Sequence, residues 1–291
     1  MKDFEDCLAE WALQDSFYER VLGSHGDKSC AASLRSGDEG CVAGIPMAKR
    51  LAQALGVESS WEKQSGDLVE SGEEIASFRG PAEQILKFEN LIIGLIGKPS
   101  GIATAARRAR KAAEGRIRLI CGGWKKHPFP IKEMAREAVA AGGLESRILA
   151  PPFLYLDKNF VRVFGGIRQT LEAVASHSVP KVIQVKGEFG PIAGEAREAI
   201  RHGASLIMVD TGCCGDLDEV LRVMKEEKAS PGVQTAFAGG IKVEDIPLLV
   251  QRGVDILDIG AAILDAPWLE LSYDVVADLK SSSNTQISNS K

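Results

Sequence analysis

From residue 116 onward the chain alternates short β-branched apolar runs with segments whose apolar positions recur every three to four residues, the pattern of βα units around a parallel sheet. Strands are predicted at 117–121, 148–156, 182–185, 206–209, 234–238 and 256–259, each almost continuously apolar, as a strand covered on both faces should be. One-sided helices are predicted between them at 131–141, 167–176, 192–201, 217–227 and 243–252, with Gly203, Pro231 and Gly253 as stop signals. A full eight-unit barrel needs about 250 residues, so an open (β/α) barrel is expected here.

The pattern before residue 116 is different. A helix is predicted at 4–22, then a Gly/Ser/Asp-rich stretch at 23–40, then a second helix at 42–55. Residues 61–80 alternate and are punctuated by Gly66, Gly72 and Gly80, which suits short antiparallel strands. A long helical segment at 81–113 should break at 98–101, where Pro99 removes a backbone donor. The expected organisation is an N-terminal α+β sandwich domain at 1–114 and a barrel at 115–269. A C-terminal helix at about 270–291 would pack back onto the first domain, with a frayed end around Ser281–Asn284.

Composition narrows the class. The 291 residues are 45% hydrophobic and 26% charged, ordinary for a globular protein and long enough for two domains. The longest apolar stretch, 91–96, ends at Gly97, Lys98 and Pro99, far short of the roughly 20 residues of a membrane span. Lys2, Asp3, Glu5 and Asp6 do not make a secretory leader, so a cytoplasmic location is expected. A net charge of −5 argues against nucleic acid and anionic membranes as partners, so any anion site must be local. Six cysteines without a CxxC pair or zinc spacing read as reduced thiols.

Barrels of this kind place chemistry at the carboxyl ends of their strands, and here those ends are polar. Gly239-Gly240 after Ala238, and Gly260-Ala261, suit backbone contact with a phosphate, although a glycine pair also fits a tight strand–helix turn. Lys125, Lys126, Arg147, Lys158 and Lys186 would form a cationic mouth for a polyanionic small substrate, or else a solvated rim. Asp157 and Asp210 could hold Mg²⁺ or ribose hydroxyls, with loop capping as the alternative for Asp210. His127 could serve as an acid or base, and Trp124 and Phe160 could stack on a ring or simply pack.

The ordered motifs resemble the quinolinate phosphoribosyltransferase family, of the type II phosphoribosyltransferase fold, over nearly the whole chain. The carriers are Gly66-Asp67-Leu68-Val69-Glu70-Ser71-Gly72, the run from Glu89 to Ser100-Gly101-Ile102-Ala103-Thr104, Leu156-Asp157-Lys158-Asn159 with Gly165-Gly166-Ile167, Val209-Asp210, Ala238-Gly239-Gly240-Ile241 and Ile259-Gly260-Ala261. The resemblance implies a head-to-tail homodimer or larger homo-oligomer. It also implies transfer of phosphoribosyl from Mg²⁺-bound phosphoribosyl pyrophosphate (PRPP) to quinolinate or a related aromatic acid, with loss of carbon dioxide to give nicotinate mononucleotide.

Carried over by residue, the resemblance assigns catalysis to Lys126 and Asp210, substrate binding to Lys125, Arg147, Lys158, Lys186, Asn90 and His127, and phosphate contacts to Ala238, Gly239, Gly240, Gly260 and Ala261. Asp210 would also meet the metal. The chain departs from the family pattern at Lys125, Ser146, Asp157, Asn90 and Ala238. It departs again at the first acidic position, which falls on Lys186 with Gln184 and Glu188 as other placements. An alternative consistent with these departures is a divergent paralogue that binds a phosphoribosyl or nucleotide ligand without quinolinate turnover, like paralogues associated with molybdenum transport.

Overall fold

The computed structural model describes residues 4–229 and 232–277. Along the chain run α1 (Phe4–Gln14), α2 (Phe17–Leu22), β1 (Ser29–Ser36), β2 (Gly40–Cys41), α3 (Ile45–Ala54), β3 (Glu58–Trp61), β4 (Leu68–Val69), β5 (Glu74–Pro81) and α4 (Ala82–Ala113). They are followed by β6 (Arg118–Ile120), α5 (Lys132–Ala141), β7 (Leu154–Leu156), α6 (Lys158–Phe164), α7 (Ile167–Ala173), β8 (Lys181–Val185), α8 (Ile192–Arg201), β9 (Leu206–Asp210) and α9 (Cys214–Glu226). Then come β10 (Gln234–Ala238), α10 (Ile246–Val250), β11 (Ile256–Asp258), α11 (Ala261–Leu264) and β12 (Leu271–Ala277). Two compact units result: the chain up to Thr104 with Phe129–Ala141 and the segment from Pro267, and Ala105–Pro128 with Gly142–Ala266.

The first unit is an antiparallel sheet in the order β12-β1-β5-β3, with a two-stranded β2-β4 pair. Its core gathers Leu34, Leu51, Ile75, Phe78, Ile85, Phe88, Ile92 and Ile96. Four expectations change here. The stretch at 23–40 contains the central strand β1, whose inward residues Cys30, Ala32, Leu34 and Ser36 alternate in burial but are mostly small, so their period-two signal is faint. The segment expected as a C-terminal helix is strand β12 over 271–277, paired antiparallel to β1 with Leu34 opposite Tyr273; the rest of that expectation and the frayed end lie outside the described residues.

The long helix does not break at Pro99. Pro99 and Ser100 are buried, and Ser100 and Thr104 accept hydrogen bonds from the N–H groups of Ala43 and Cys41 at 2.9 and 2.8 Å. Tertiary contact thus outweighs the bond that proline removes. Finally, α5 belongs to this unit and not to the barrel, because Met134 packs into its core. Amphipathic spacing shows that a face is buried without showing against what.

The second unit is a parallel sheet in the order β6-β11-β10-β9-β8-β7. Alternate residues Leu206 and Met208, Ala236 and Ala238, with Ile120, Val182, Ile256 and Ile148, meet in one inner cluster capped by Phe153 and Tyr155. Strands from across the sheet share one interior, so the sheet curls into a barrel, and it is open because β6 and β7 are its two edges. All six expected strands form, although the run at 148–156 is pared down to Leu154–Leu156 because Pro151 and Pro152 cannot donate to a ladder. The domain boundary falls inside α4 between Thr104 and Ala105, upstream of the expected 114.

Candidate active site

The carboxyl ends of β6 and β11, with β7 and the segment before it, enclose a cavity of about 240 Å³ lined by Ile120, Gly122, Trp124, Lys125, Ser146, Arg147, Ile148, Phe153, Tyr155 and Asp258. Gly122–Lys126 forms a 3₁₀ turn after β6, fixed by the Gly122 N–H donating to the Asp258 carboxylate at 2.8 Å and the Trp124 indole N–H donating to the Ser146 carbonyl at 2.7 Å. The Lys125 ammonium lies 5.4 Å from the centre of the Tyr155 ring. The cavity therefore sets an aromatic wall beside two cations, Lys125 and Arg147, which suits a flat anionic ring.

Burial raises the Tyr155 hydroxyl pKa, and Asp258, Asp210 and Asp157 push the same way, so Tyr155 stays a neutral phenol. The Asp258 carboxyl is also raised by burial, with Asp210 adding to the shift while Gly122, Lys125 and Lys126 oppose it. Cys121, fully buried below the turn, is pushed up to about 12 by burial and then by Asp258, which leaves it an unreactive thiol.

On the other side of the mouth the loops after β9 and β10 touch through backbone. Gly212 N–H donates to Ala238 O at 3.0 Å, and a Cβ on Gly239 would stand 2.4 Å from the Gly212 nitrogen. Gly239 has φ +112° and Gly240 φ +73°, conformations that side chains resist, and nothing lies within 4 Å of a Cβ position on Gly240. Exposed backbone with open space in front is what an anion needs. After β11, Gly260 passes Gly123 so closely that a Cβ on Gly123 would be 3.1 Å from the Gly260 Cα.

Between these sides stands Asp210 at the end of β9, half-buried. Its carboxylate accepts from the Gln184 side-chain amide, its backbone carbonyl accepts from the Lys186 ammonium, and that ammonium is also 3.5 Å from its Oδ2. Asp157 is a helix cap: its Oδ1 accepts from the N–H groups of Asn159 and Phe160 at 2.9 and 3.3 Å, a structural role where metal or ribose contact was expected.

The structure thus brings Lys125 and Arg147 to the cavity, with Lys126 exposed on the same turn and Lys158 exposed at the start of α6. His127 is half-buried, and its Nε2 has no hydrogen-bond partner among the described residues. Ala238 is buried under the glycine loop while Ala261 is exposed beside Gly260. Asn90 belongs to the other unit, where its side chain pairs with the Tyr18 hydroxyl. Phe160 is an exposed residue of α6 and not a wall of the cavity.

Sequence reasoning missed Tyr155, Asp258 and Glu195, and it named Gln184 only as another placement for the first acidic position. Asp258 had a readable signal, an acid closing an apolar run as Asp210 does. The buried Glu195 had none, since an acid in the first turn of a helix is commonplace.

The Mg²⁺ expected at Asp210 does not fit the residues present. Among the described residues no three His, Cys, Asp or Glu side chains form a metal-binding group, and the groups facing Asp210 are an amide NH₂ and an ammonium, which are donors.

An open parallel barrel with a glycine-lined, cationic mouth beside an antiparallel sandwich is the architecture of the type II phosphoribosyltransferases. The solved nicotinate-nucleotide pyrophosphorylase from Francisella tularensis shares this fold, with a TM-score of 0.76 at 18% identity over 95% of this chain and 100% of that one. The chain belongs to the quinolinate phosphoribosyltransferase family: the family's C-terminal domain profile matches residues 102–274 and its N-terminal domain profile matches residues 15–100. Among relatives, a Bacillus subtilis protein named as a probable carboxylating nicotinate-nucleotide pyrophosphorylase is 30% identical over 86% of this chain and 85% of its own length. The human carboxylating nicotinate-nucleotide pyrophosphorylase is 26% identical over 84% of this chain and 82% of its own.

Proposed function

We propose that this protein transfers the phosphoribosyl group of PRPP to the ring nitrogen of quinolinate, releasing pyrophosphate and carbon dioxide and leaving nicotinate mononucleotide. The observation that carries the reading is the cavity in which Lys125 stands over the Tyr155 ring and Arg147 lines the same space, within a family whose curated members bear the name of this reaction.

The chemistry follows from what the site offers. The ribose C1–O bond breaks with its electron pair leaving on pyrophosphate, and the acceptor nitrogen donates its lone pair to C1. The bond to the adjacent carboxyl then breaks toward the ring, carbon dioxide departs, and the ring carbon takes a proton. None of these steps needs a protein nucleophile, so positioning and fixed charge supply the catalysis. Lys126, Arg147 and Lys125 hold the acceptor carboxylates, with Lys158 extending the cationic rim and His127 beside it. Backbone at Gly239, Gly240 and Gly260, flanked by Ala238 and Ala261, takes the 5′-phosphate. Asp210 orients the ribose, and Lys186 meets the diphosphate.

We also take the protein to be a cytoplasmic homodimer or larger homo-oligomer, as the resemblance implies; sedimentation of the purified protein tests the assembly. Among the described residues no helix is long and apolar enough to cross a membrane.

The test is mass-spectrometric detection of nicotinate mononucleotide after incubation with quinolinate and PRPP. Product is expected from the native protein and is expected to be abolished in a folded Lys126→Ala variant. A folded native protein that yields no product overturns the reading, and near-normal turnover in the variant removes Lys126 from it.

A further inference from the structure

Asp210 ends β9 with its Oδ2 and its backbone carbonyl engaged by donors from β8 and the residue after it. The Gln184 side chain, 7% exposed, is fixed at both ends: its Oε1 accepts from the Lys158 N–H at 2.7 Å, which turns its NH₂ toward Asp210 Oδ2. The Lys186 ammonium reaches Asp210 from the same side.

The backbone that carries Lys186 is fixed as well. The buried Glu195 carboxylate accepts from Lys186 N–H at 2.9 Å, Gly187 N–H at 2.8 Å and Phe189 N–H at 2.9 Å, so one side chain holds the whole loop. Glu188, the remaining carboxylate of that loop, is taken by a two-pronged pair with Arg162 at 2.7 Å on each arm. Positions 184 and 186 therefore present an amide and an ammonium to Asp210, while the acid at 188 is spent on Arg162. A divalent ion placed there would meet a like charge in place of ligands.

We propose that the Lys186 ammonium is a built-in cation that takes the place of a divalent metal beside Asp210, so that this protein holds no such ion and grips the diphosphate of its sugar ligand through Lys186 itself. The identity of that ligand rests on the phosphoribosyl reading; the exclusion of a protein-held ion does not. The pairing also gives Lys186 its reach. Tethered to Asp210 and carried on a fixed loop, its charge is positioned before the ligand arrives, which lowers the ordering cost of binding.

Two measurements test this. Electron paramagnetic resonance of Mn²⁺ with the protein alone should find the ion free in the native chain. Lys186→Glu, which sets a carboxylate opposite Asp210, should bind Mn²⁺ about tenfold tighter or more. Stoichiometric Mn²⁺ on the native protein that disappears in Asp210→Asn overturns the proposal, and so does a folded Lys186→Glu chain with no gain.

Calorimetry with PRPP supplies the second arm and does not depend on that variant folding. Native affinity in EDTA should lie within about twofold of that in Mg²⁺, and Lys186→Gln should weaken binding in EDTA by about tenfold. A native protein that binds PRPP only with Mg²⁺ overturns the proposal. No PRPP binding under either condition would refute the transferase reading, while the Mn²⁺ result would still decide whether an ion is held.

Discussion

At the β9–β10 side of the barrel mouth the surface is backbone, and at the β6 side it is side chain. Gly212 and Gly239 approach so closely that neither can carry a Cβ without moving main chain, whereas Lys125, Arg147, Trp124 and Tyr155 line a cavity that other residues could also line. A phosphate is the same group on every phosphoribosyl ligand and can be held by a rigid main-chain cradle. The acceptor is the part that differs between ligands, and side chains are the adjustable material. The chain's departures from its family follow this division only in part: Gly239, Gly240 and Gly260 are kept while Lys125, Ser146 and Asp157 depart after β6 and around β7, but Ala238 departs beside the glycines and Lys186 after β8.

The largest effect should come from the rigid side. Gly239→Ala forces a Cβ to within 2.4 Å of the Gly212 nitrogen at φ +112°. We expect it to destabilise the protein by roughly 3 kcal/mol and to abolish PRPP binding, read by denaturant unfolding and calorimetry. Retained stability and binding would mean that this loop is as adjustable as the acceptor side.

Next comes Arg147→Ala, expected to raise the acceptor KM roughly thirtyfold, about 2 kcal/mol, with unfolding unchanged because the side chain is exposed. A loss of PRPP affinity instead would move Arg147 to the phosphate side. Lys125→Ala should act in the same direction but less, about tenfold in KM, since an ammonium is a point contact and not a fork. Its ring contact with Tyr155 should add a stability loss of under about 1 kcal/mol.

The smallest effect concerns Asp258, whose carboxyl lines the cavity. Burial raises it above its ordinary 3.8, so the folded chain keeps a proton there that the unfolded chain has released. That contribution to stability is complete below about 3.8 and is lost as pH rises through the raised value. Unfolding midpoints measured across this range should fall with pH, and Asp258→Asn should flatten that part of the curve. An unchanged slope would assign it to another group.

Legibility in the sequence followed signal strength. The six barrel strands were readable because each is an apolar run between helical periods, and the polar residues ending them marked the mouth. Strand β1 is hidden by its small residues, the segment that forms β12 reads as a helix, and Pro99 reads as a break that packing overrides. At the site, Lys125, Arg147 and the glycines stood out by residue type and position. Tyr155 did not, because it lies inside a run that reads as strand interior, whereas Asp258 carries the same signal as Asp210, an acid closing an apolar run.

By itself, then, the sequence determined the alternation of strand and helix, the family and the set of charged groups delivered to the strand ends, because periodicity, glycine and charge are properties of residues in order. Only the tertiary structure decided which of those groups meet. It placed the Lys186 ammonium on Asp210, made Asp157 a helix cap and gave Glu195 the loop to hold, because an ion's partner is set by distances across strands that are remote in the chain.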